Sequence, residues 1–196
     1  ARCIHCYNED AHTNKRNSKN ELNAEEAQNL LYWLKNIGVF RLVFSGGEAS
    51  LRNDFFELCK KARDLGFQLV IYTNGISFDE EQRERLASLY PLCVAVSIYG
   101  SEASIHDSIT QVKGSYKNAI DTIKYLKQQG IFTTHKNTLL KSNFPDWRTA
   151  FEKGKHLASE SMINFTIYPS VDSNGTKSIS DSEMTMEQLI ELALQE

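Results

Sequence analysis

The sequence lacks any block of basic residues and any long apolar run. Lys and Arg total 22 against 25 Asp and Glu, so the formal net charge is −3. No cluster of positive charge is available to follow a phosphate backbone, which argues against nucleic acid as a partner. No segment approaches the uninterrupted apolar stretch of a membrane span, and the polar, cysteine-bearing start is unlike a signal peptide. We therefore expect a soluble, cytoplasmic protein without nucleic-acid or membrane partners.

Cysteine is also scarce, and the four cysteines are Cys3, Cys6, Cys59 and Cys93. They are too few and too unevenly spaced for the disulfide framework of a small secreted protein, which indicates a reducing compartment. Cys59 and Cys93 have apolar neighbours, and both are predicted to be buried core residues. The chain begins at Ala1 with no initiator Met, and we interpret it as a fragment.

Predicted helices and strands alternate along the 196 residues, of which 41% are hydrophobic, enough for one domain with a buried core. Capping residues, helical apolar spacing and closing glycines predict helices at 23–38, 54–65, 79–89, 115–129, 145–158 and from about 185. Short apolar runs predict strands at 40–44, 67–73, 92–97, 131–139 and 162–168. Five aromatic residues of these helices are expected to pack against the sheet: Tyr32, Trp33, Phe55, Phe56 and Trp147.

This alternation predicts an α/β fold with a parallel sheet, since parallel strands need a long crossover that a helix supplies. Five strands, with a sixth expected before Ala1, favour a partial (β/α)6 TIM-like barrel whose first strand is missing. Chemistry in such folds gathers at the carboxyl ends of the strands. The predicted site is therefore a polar ring formed by residues 45–48, 73–75, 97–100, 135–137 and 168–172.

Cys3 and Cys6 are separated by two residues and could share one metal site. Thiolates select zinc, copper or iron–sulfur clusters over hard cations. A zinc ribbon needs a second cysteine pair at similar spacing, which the sequence lacks. His5 and His12 could complete a site, but we interpret both as polar loop residues, because His5 lies beside the cysteines rather than facing the same metal.

A glycine pair and a carboxylate follow the first predicted strand, in the segment Ser45-Gly46-Gly47-Glu48. Paired glycines let the backbone approach a ligand closely, and a carboxylate just beyond them suits an ammonium group. A tight strand-to-helix turn, with Glu48 favoured by the helix dipole, explains the same residues. Taken alone, the segment favours the turn.

Four motifs occur in the order found in radical S-adenosylmethionine (SAM) enzymes, and the sequence resembles that family over nearly its whole length. They are residues 2–7 (RCIHCY), 44–48 (FSGGE), 72–75 (YTNG) and 96–100 (VSIYG). In the family, a Cys-x-x-x-Cys-x-x-Cys loop binds a four-iron four-sulfur (4Fe-4S) cluster. The resemblance implies that Cys3 and Cys6 are the second and third of these cysteines and that the first precedes Ala1.

The resemblance also implies which residues hold the methionine part of SAM. The Glu48 carboxylate and the backbone of Gly46 and Gly47 match the site of the methionine ammonium, which agrees with the ammonium alternative above. Thr73 and Asn74 match a Thr-Asn-Gly segment that lies near the methionine in the family.

A second set of residues is implied to hold the adenosine part of SAM. His5 would lie against the adenine and bond it through its backbone. Ser97 looks like the ribose-contacting position, to which Lys136 or Asn137 would contribute from the next strand. Tyr168 is at the place where the last strand of such domains approaches the adenine.

Residues 97–116 resemble more specifically the subgroup that modifies peptides, such as pyrroloquinoline-quinone and thioether-peptide maturases. This likeness implies a peptide substrate, an electron donor such as flavodoxin or ferredoxin, and a core at 1–175 followed by the helical start of a C-terminal extension at 176–196. His106 and Asp107 invite a general-base role, but a cap and positioning contact is the favoured interpretation.

The expected function is reductive cleavage of SAM, giving methionine and a 5′-deoxyadenosyl radical that abstracts a substrate hydrogen. Because one cluster cysteine is expected before Ala1, the fragment itself is expected to be inactive. Two alternatives stay open. One is a cluster-free α/β barrel enzyme, such as an aldolase or isomerase, in which Glu48, His135 and Lys136 do acid–base or Schiff-base chemistry. The other is a metal- or peptide-binding module without catalysis.

Overall fold

The computed structural model describes residues 1–6, 21–165, 170–171, 177–178 and 183–194. Its helices are α1 (Ala24–Asn36), α2 (Phe55–Asp64), α3 (Glu80–Ser88), α4 (Ala103–Thr110), α5 (Ser115–Gln128), α6 (Trp147–Leu157) and α7 (Met186–Ala193). Short 3-10 helices precede α2 and α6, at Ala49–Leu51 and Phe144–Asp146. Over these described ranges, no helix is long and apolar enough to cross a membrane.

Five parallel strands form one sheet, and its strands are β1 (Arg41–Phe44), β2 (Gln68–Thr73), β3 (Cys93–Ser97), β4 (Thr133–Leu139) and β5 (Glu160–Phe165). Each strand pairs in parallel with the next strand of the chain, and helices connect successive strands, as parallel pairing requires. The predicted α/β class with parallel strands is confirmed. The sequential order β1-β2-β3-β4-β5 is that of a barrel wall, whereas the order of a doubly wound sheet reverses.

The pairing register divides the strand residues between two faces of the sheet, because successive side chains point to opposite sides. The face covered by helices forms the main core, and its central side chains are at most 1% exposed: Leu69, Ile71, Val94 and Val96. We call the opposite side the open face. The register places on it Val43, Tyr72, Cys93, Ser97, Lys136 and Met162.

Two aromatic residues of α1 do not pack against the sheet as predicted. Tyr32 and Trp33 are 44% and 57% exposed, because the helix turns Leu31 and its neighbours one turn away, Ala27 and Leu34, toward the core. The prediction is correct for the other three aromatic residues, which contact the hydrophobic clusters: Phe55, Phe56 and Trp147.

The two isolated cysteines differ from each other. Cys59 lies in the core with no exposed surface, which confirms its prediction. Cys93 is half-buried, and its Sγ lies 3.4 Å from Thr134 Oγ1. The core prediction for Cys93 is wrong because its side chain shares the open face with Ser97, an assignment that apolar neighbours along the chain do not reveal.

Capping boxes start three of the helices where the sequence predicts helix starts, at Asn23, Asp79 and Thr185. Helix α4 was not predicted, and its N-cap residue Glu102 makes no side-chain capping bond. Near the end of the described chain, Ser170–Val171 and Lys177–Ser178 pair as antiparallel strands β6 and β7. The predicted boundary at residue 175 lies outside the described residues and stays a prediction.

Candidate functional site

The Glu48 carboxylate connects the ends of the first two strands. Its Oε1 accepts hydrogen bonds from the hydroxyls of Ser50 at 2.7 Å and Thr73 at 2.8 Å, and its Oε2 accepts one from the Asn74 backbone N–H at 2.7 Å. Glu48 also caps the short 3-10 helix that follows it. The turn and the site therefore coexist, because one carboxylate has several acceptor positions.

The end of β2 is shaped to meet this carboxylate. The Thr73 hydroxyl accepts a hydrogen bond from the Gly75 backbone N–H at 3.0 Å while it donates to Glu48. Gly75 has φ of +69°, and a Cβ there would lie 2.8 Å from Val96 Cγ1. Only glycine meets both demands, which explains the Thr-Asn-Gly sequence at this strand end.

The cysteine segment at the start of the chain is tied to the end of α4. The backbone N–H groups of Arg2 and Ile4 donate to the carbonyls of Thr110 and Ile109, both at 3.0 Å. A turn closes where the Cys6 N–H donates to the Cys3 carbonyl at 3.0 Å. Burial, followed by the neighbouring Cys6 thiol, raises the pKa of the Cys3 thiol. The two sulfur groups are therefore close enough to interact electrostatically.

Tyr99 lies next to this segment and was not predicted as a site residue. Its hydroxyl forms hydrogen bonds with the side chains of Cys3 and Ser97, and burial raises the Tyr99 pKa. The ring is packed with Ile109 and Leu140 in a small hydrophobic cluster that Cys3 also joins. Alternation from Ser97, two residues earlier, is the sequence signal that could have found Tyr99.

Two buried histidine rings flank Tyr99. The His5 ring meets it edge-on with centroids 4.8 Å apart, and the His106 ring stacks on it at 5.5 Å. Burial lowers the pKa of both histidines to about 4, so both are neutral at pH 7. His5 Nδ1 is buried without a hydrogen-bond partner among the residues that the structure describes.

The pair His106 and Asp107 has structural partners. His106 Nδ1 accepts a hydrogen bond from the Tyr99 backbone N–H at 3.0 Å. The Asp107 carboxylate accepts bonds from the backbone N–H groups of Gly114 and Tyr116, at 2.6 and 2.8 Å, where α5 begins. These contacts agree with a capping and positioning role.

Lys136 and Asn137 project to opposite faces of β4. Lys136 lies opposite Ser97 on the open face, and its Nζ is 4.2 Å from the centroid of the Tyr72 ring. Asn137 is fully buried on the helix face, where its Oδ1 accepts a hydrogen bond from Asn143 Nδ2 at 3.3 Å. Of the two candidates for the ribose, the structure brings only Lys136 to the face that carries Ser97.

The remaining predicted site residues lie outside this description or at its margin. Gly46 and Gly47 are exposed where β1 ends, and Gly46 has φ of +134°. Tyr168 lies outside the described residues. A cavity of about 670 Å³ borders Ser45 and Glu48, between the end of β1 and the starts of α1 and α2.

The thiols of Cys3 and Cys6 match the soft ligands of an iron–sulfur cluster in chemistry. Over the described residues, no group of three His, Cys, Asp or Glu side chains is placed to hold a metal ion. The two cysteines therefore fit a cluster as two of its ligands, in line with the spacing of the family loop.

His135 does not join the strand-end ring as the cluster-free alternative requires. It is 1% exposed on the helix face, with Nδ1 2.8 Å from Ser161 Oγ and Nε2 3.2 Å from the Ile98 carbonyl oxygen. Both ring nitrogens are occupied by structural partners. An acid–base role beside Glu48 and Lys136 loses its third residue.

Comparison with known proteins gives a family match: the model of the "Radical SAM superfamily" matches residues 1–152. Among curated relatives, the chain is 28% identical to an AdoMet-dependent heme synthase of Oleidesulfovibrio alaskensis, over 85% of this chain and 42% of that protein. It is 32% identical to the sporulation killing factor maturation protein SkfB of Bacillus subtilis, over 63% of this chain and 30% of that protein. The chain thus spans less than half the length of these relatives.

Solved structures share the fold. SuiB of Streptococcus suis, bound to the precursor peptide SuiA, superposes with a TM-score of 0.72 at 17% identity, over 98% of this chain and 41% of that one. A second structure of SuiB, bound to S-adenosylmethionine, gives a TM-score of 0.69. The likeness confirms the predicted partial barrel.

Proposed function

The chain belongs to the radical SAM superfamily, and we propose that it forms part of the core of an enzyme that cleaves SAM reductively and modifies a peptide. The family uses a 4Fe-4S cluster and SAM as cofactors. The observation that carries the proposal is the convergence of Glu48, Thr73 and Asn74 at one strand-end edge. The family match favours this function over a cluster-free barrel enzyme and over a module without catalysis.

In the proposal, Cys3 and Cys6 hold two positions of the cluster. When bound and reduced, the cluster supplies the electron that cleaves SAM to methionine and a 5′-deoxyadenosyl radical, which abstracts a substrate hydrogen. The protein's part is to keep the two thiolates beside the Tyr99 hydroxyl and to fix the segment by the backbone bonds to Ile109 and Thr110.

Glu48 is the proposed ligand of the methionine ammonium. Its Oε1 already accepts two hydroxyl bonds, whereas Oε2 accepts one bond, from Asn74, among the described residues. A carboxylate oxygen has two lone-pair positions, so Oε2 can accept an N–H of an ammonium group. The hydrogen bonds from Thr73 and Ser50 hold the carboxylate in place for this contact.

The adenosine part is proposed to lie toward Ser97, with Lys136 beside it on the open face and the backbone of His5 at the adenine. His5 is neutral at pH 7 and half-buried against Tyr99, so it offers an uncharged surface to a base. Gly46 and Gly47 are proposed to contribute backbone groups at the methionine end, and Tyr168 a contact at the adenine.

A peptide substrate is supported by two relatives, since SkfB is named as a maturation protein and SuiB was solved with a precursor peptide. A heme-type tetrapyrrole is a second candidate, because a heme synthase matches over more of this chain than SkfB does. We further propose flavodoxin or ferredoxin as electron donor, a cytoplasmic location, and a core at 1–175 followed by an extension from 176.

The test of SAM cleavage is anaerobic reconstitution of the full-length protein with iron and sulfide, followed by measurement of bound iron and 5′-deoxyadenosine. Wild-type protein is expected to bind a cluster and release 5′-deoxyadenosine, and Cys3→Ala and Cys6→Ala are expected to lose both. Cys93→Ala is the control, because Cys93 is a half-buried cysteine at the other end of β3. Equal iron content in all four proteins would contradict the cluster assignment.

The substrate class is tested by isotope transfer. The reaction is run with either a perdeuterated peptide mixture or a perdeuterated porphyrin, and deuterium in 5′-deoxyadenosine is measured by mass spectrometry. The proposal expects transfer from peptide only. Transfer from the porphyrin alone would replace the peptide by the tetrapyrrole candidate.

A further inference from the structure

Tyr99 is held rigidly by its backbone and its ring. Its backbone N–H donates to His106 Nδ1 at 3.0 Å, and its carbonyl accepts a hydrogen bond from Asn143 Nδ2 at 2.8 Å. The ring is stacked on His106 and met edge-on by His5, and the residue is 8% exposed. The hydroxyl therefore has little freedom to leave its position.

The hydroxyl occupies the space between a predicted cluster ligand and a predicted SAM contact. It forms hydrogen bonds with the side chains of Cys3 and Ser97. The bond to Tyr99 lowers the pKa of Cys3, which is the effect of a donor beside a thiolate. The Ser97 bond has the opposite direction, with the serine hydroxyl donating to the tyrosine oxygen.

A thiolate bound to iron can only accept hydrogen bonds, and a tyrosine hydroxyl is protonated at neutral pH. Hydrogen bonds to the sulfurs are among the factors that set the reduction potential of an iron–sulfur cluster. A donor favours the reduced state, because that state carries the greater negative charge.

We propose that Tyr99 is a positioning residue that donates a hydrogen bond to the cluster-bound Cys3 thiolate and raises the reduction potential of the cluster. The bond that the Tyr99 oxygen accepts from Ser97 orients its proton toward the sulfur. This inference rests on the proposed function, since it requires a cluster on Cys3.

The test is the midpoint potential of the reconstituted full-length protein and of Tyr99→Phe, read by electron paramagnetic resonance during a redox titration. Phenylalanine keeps the ring between the two histidines and removes only the hydroxyl. At the wild-type midpoint, the variant is expected to show about a tenfold lower ratio of reduced to oxidised cluster, a shift of about 59 mV for one electron. Iron content is expected to be unchanged.

Tyr116→Phe is the matched control. Its ring also lies near His106, at 5.8 Å, but its hydroxyl donates to the Ser101 carbonyl at 2.7 Å, away from the cysteines. The control is expected to keep the wild-type potential. If Tyr99→Phe does not fold, fluorotyrosine at position 99 supplies a stronger donor in nearly the same shape, and the potential is expected to rise.

The outcomes separate this inference from the proposed function. A cluster with equal potential in wild-type and Tyr99→Phe protein, or a higher potential in the variant, overturns the role of Tyr99 and leaves the function standing. Absence of a cluster from the wild-type protein overturns both. An equal fall in Tyr99→Phe and Tyr116→Phe shows a general effect of the aromatic group and also overturns the inference.

Discussion

The helix-covered face and the open face of the same sheet differ in what their side chains contact. On the helix face, Leu69 and Val94 have no exposed surface, whereas Val43 and Tyr72 on the open face are 51% and 40% exposed. Both sets come from alternate positions of the same strands. The fold is therefore stabilised mainly by one half of each strand, which leaves the other half available to bind ligands.

Polar residues make the contrast sharper than apolar ones. On the helix face, His135 and Asn137 are buried and contact other protein groups, whereas Lys136 between them projects to the open face. Three successive residues thus divide between structure and site. Substitutions on the helix face are expected to change stability, and those at the strand ends to change ligand binding.

The largest effect is expected for Gly154→Ala in α6, on the helix face. Alanine in a helix interior usually stabilises by about 1 kcal/mol relative to glycine. Here a Cβ would collide with His135 Nδ1 and lie 2.5 Å from Ser161 Oγ. We expect a net loss of about 3 kcal/mol in the free energy of unfolding, measured by urea denaturation.

Thr149→Ala on the same helix is the control, because residue 149 is exposed. It is expected to change the free energy of unfolding by less than about 0.5 kcal/mol. A Gly154→Ala protein as stable as this control would show that α6 does not pack against His135 as described.

A second effect on the helix face is the dependence of stability on pH. Burial lowers the pKa of His135 and His106 from 6.5 to about 4. Because the folded pKa lies below the unfolded value, their contribution is present above pH 6.5 and is lost as the pH falls toward 4. At pH 5 we expect a loss of about 2 kcal/mol for each histidine relative to neutral pH.

The measurement is the free energy of unfolding between pH 7 and 5 for wild-type protein and His135→Gln. The variant is expected to lose less stability over this interval than the wild type does. His156→Gln, at an exposed position, is expected to keep the wild-type dependence. Equal slopes in all three proteins would show that His135 is not buried in its neutral form.

A smaller effect is expected at the strand ends for Thr73→Val, which removes one of the donors to Glu48 and keeps the shape of the side chain. Loss of one such hydrogen bond is worth about 1 kcal/mol, so we expect SAM affinity to fall by up to about tenfold. Thr149→Val, remote from the site, is expected to leave SAM affinity unchanged. A normal affinity for Thr73→Val would show that Thr73 does not orient the carboxylate.

Local patterns in the sequence predicted most elements of the fold and the motifs at the strand ends. Helix α4 was missed because it is short and its N-cap residue, Glu102, makes no side-chain capping bond. The exposure of Trp33 was missed because helical spacing shows that residues share a face but not how wide a stripe the core covers.

The site was predicted less completely, for a different physical reason. Lys136 and Asn137 look equally available in the sequence, and only the pairing register shows that they project to opposite faces. Tyr99 reads as an apolar neighbour of a glycine, and its contact with Cys3 joins residues 96 positions apart. Tertiary contacts of this kind are not encoded in any local motif.

The most direct test of the strand-end site is the affinity of the anaerobic, cluster-loaded full-length protein for SAM, measured by isothermal titration for wild type, Glu48→Gln and Glu57→Gln. Glu57 is an exposed carboxylate on α2 and serves as the control. A hydrogen bond to a charged group is worth about 1.5–3 kcal/mol, so Glu48→Gln is expected to weaken SAM binding by about 10- to 100-fold with unchanged iron content. Equal affinities for all three proteins would contradict the assignment of this site to SAM.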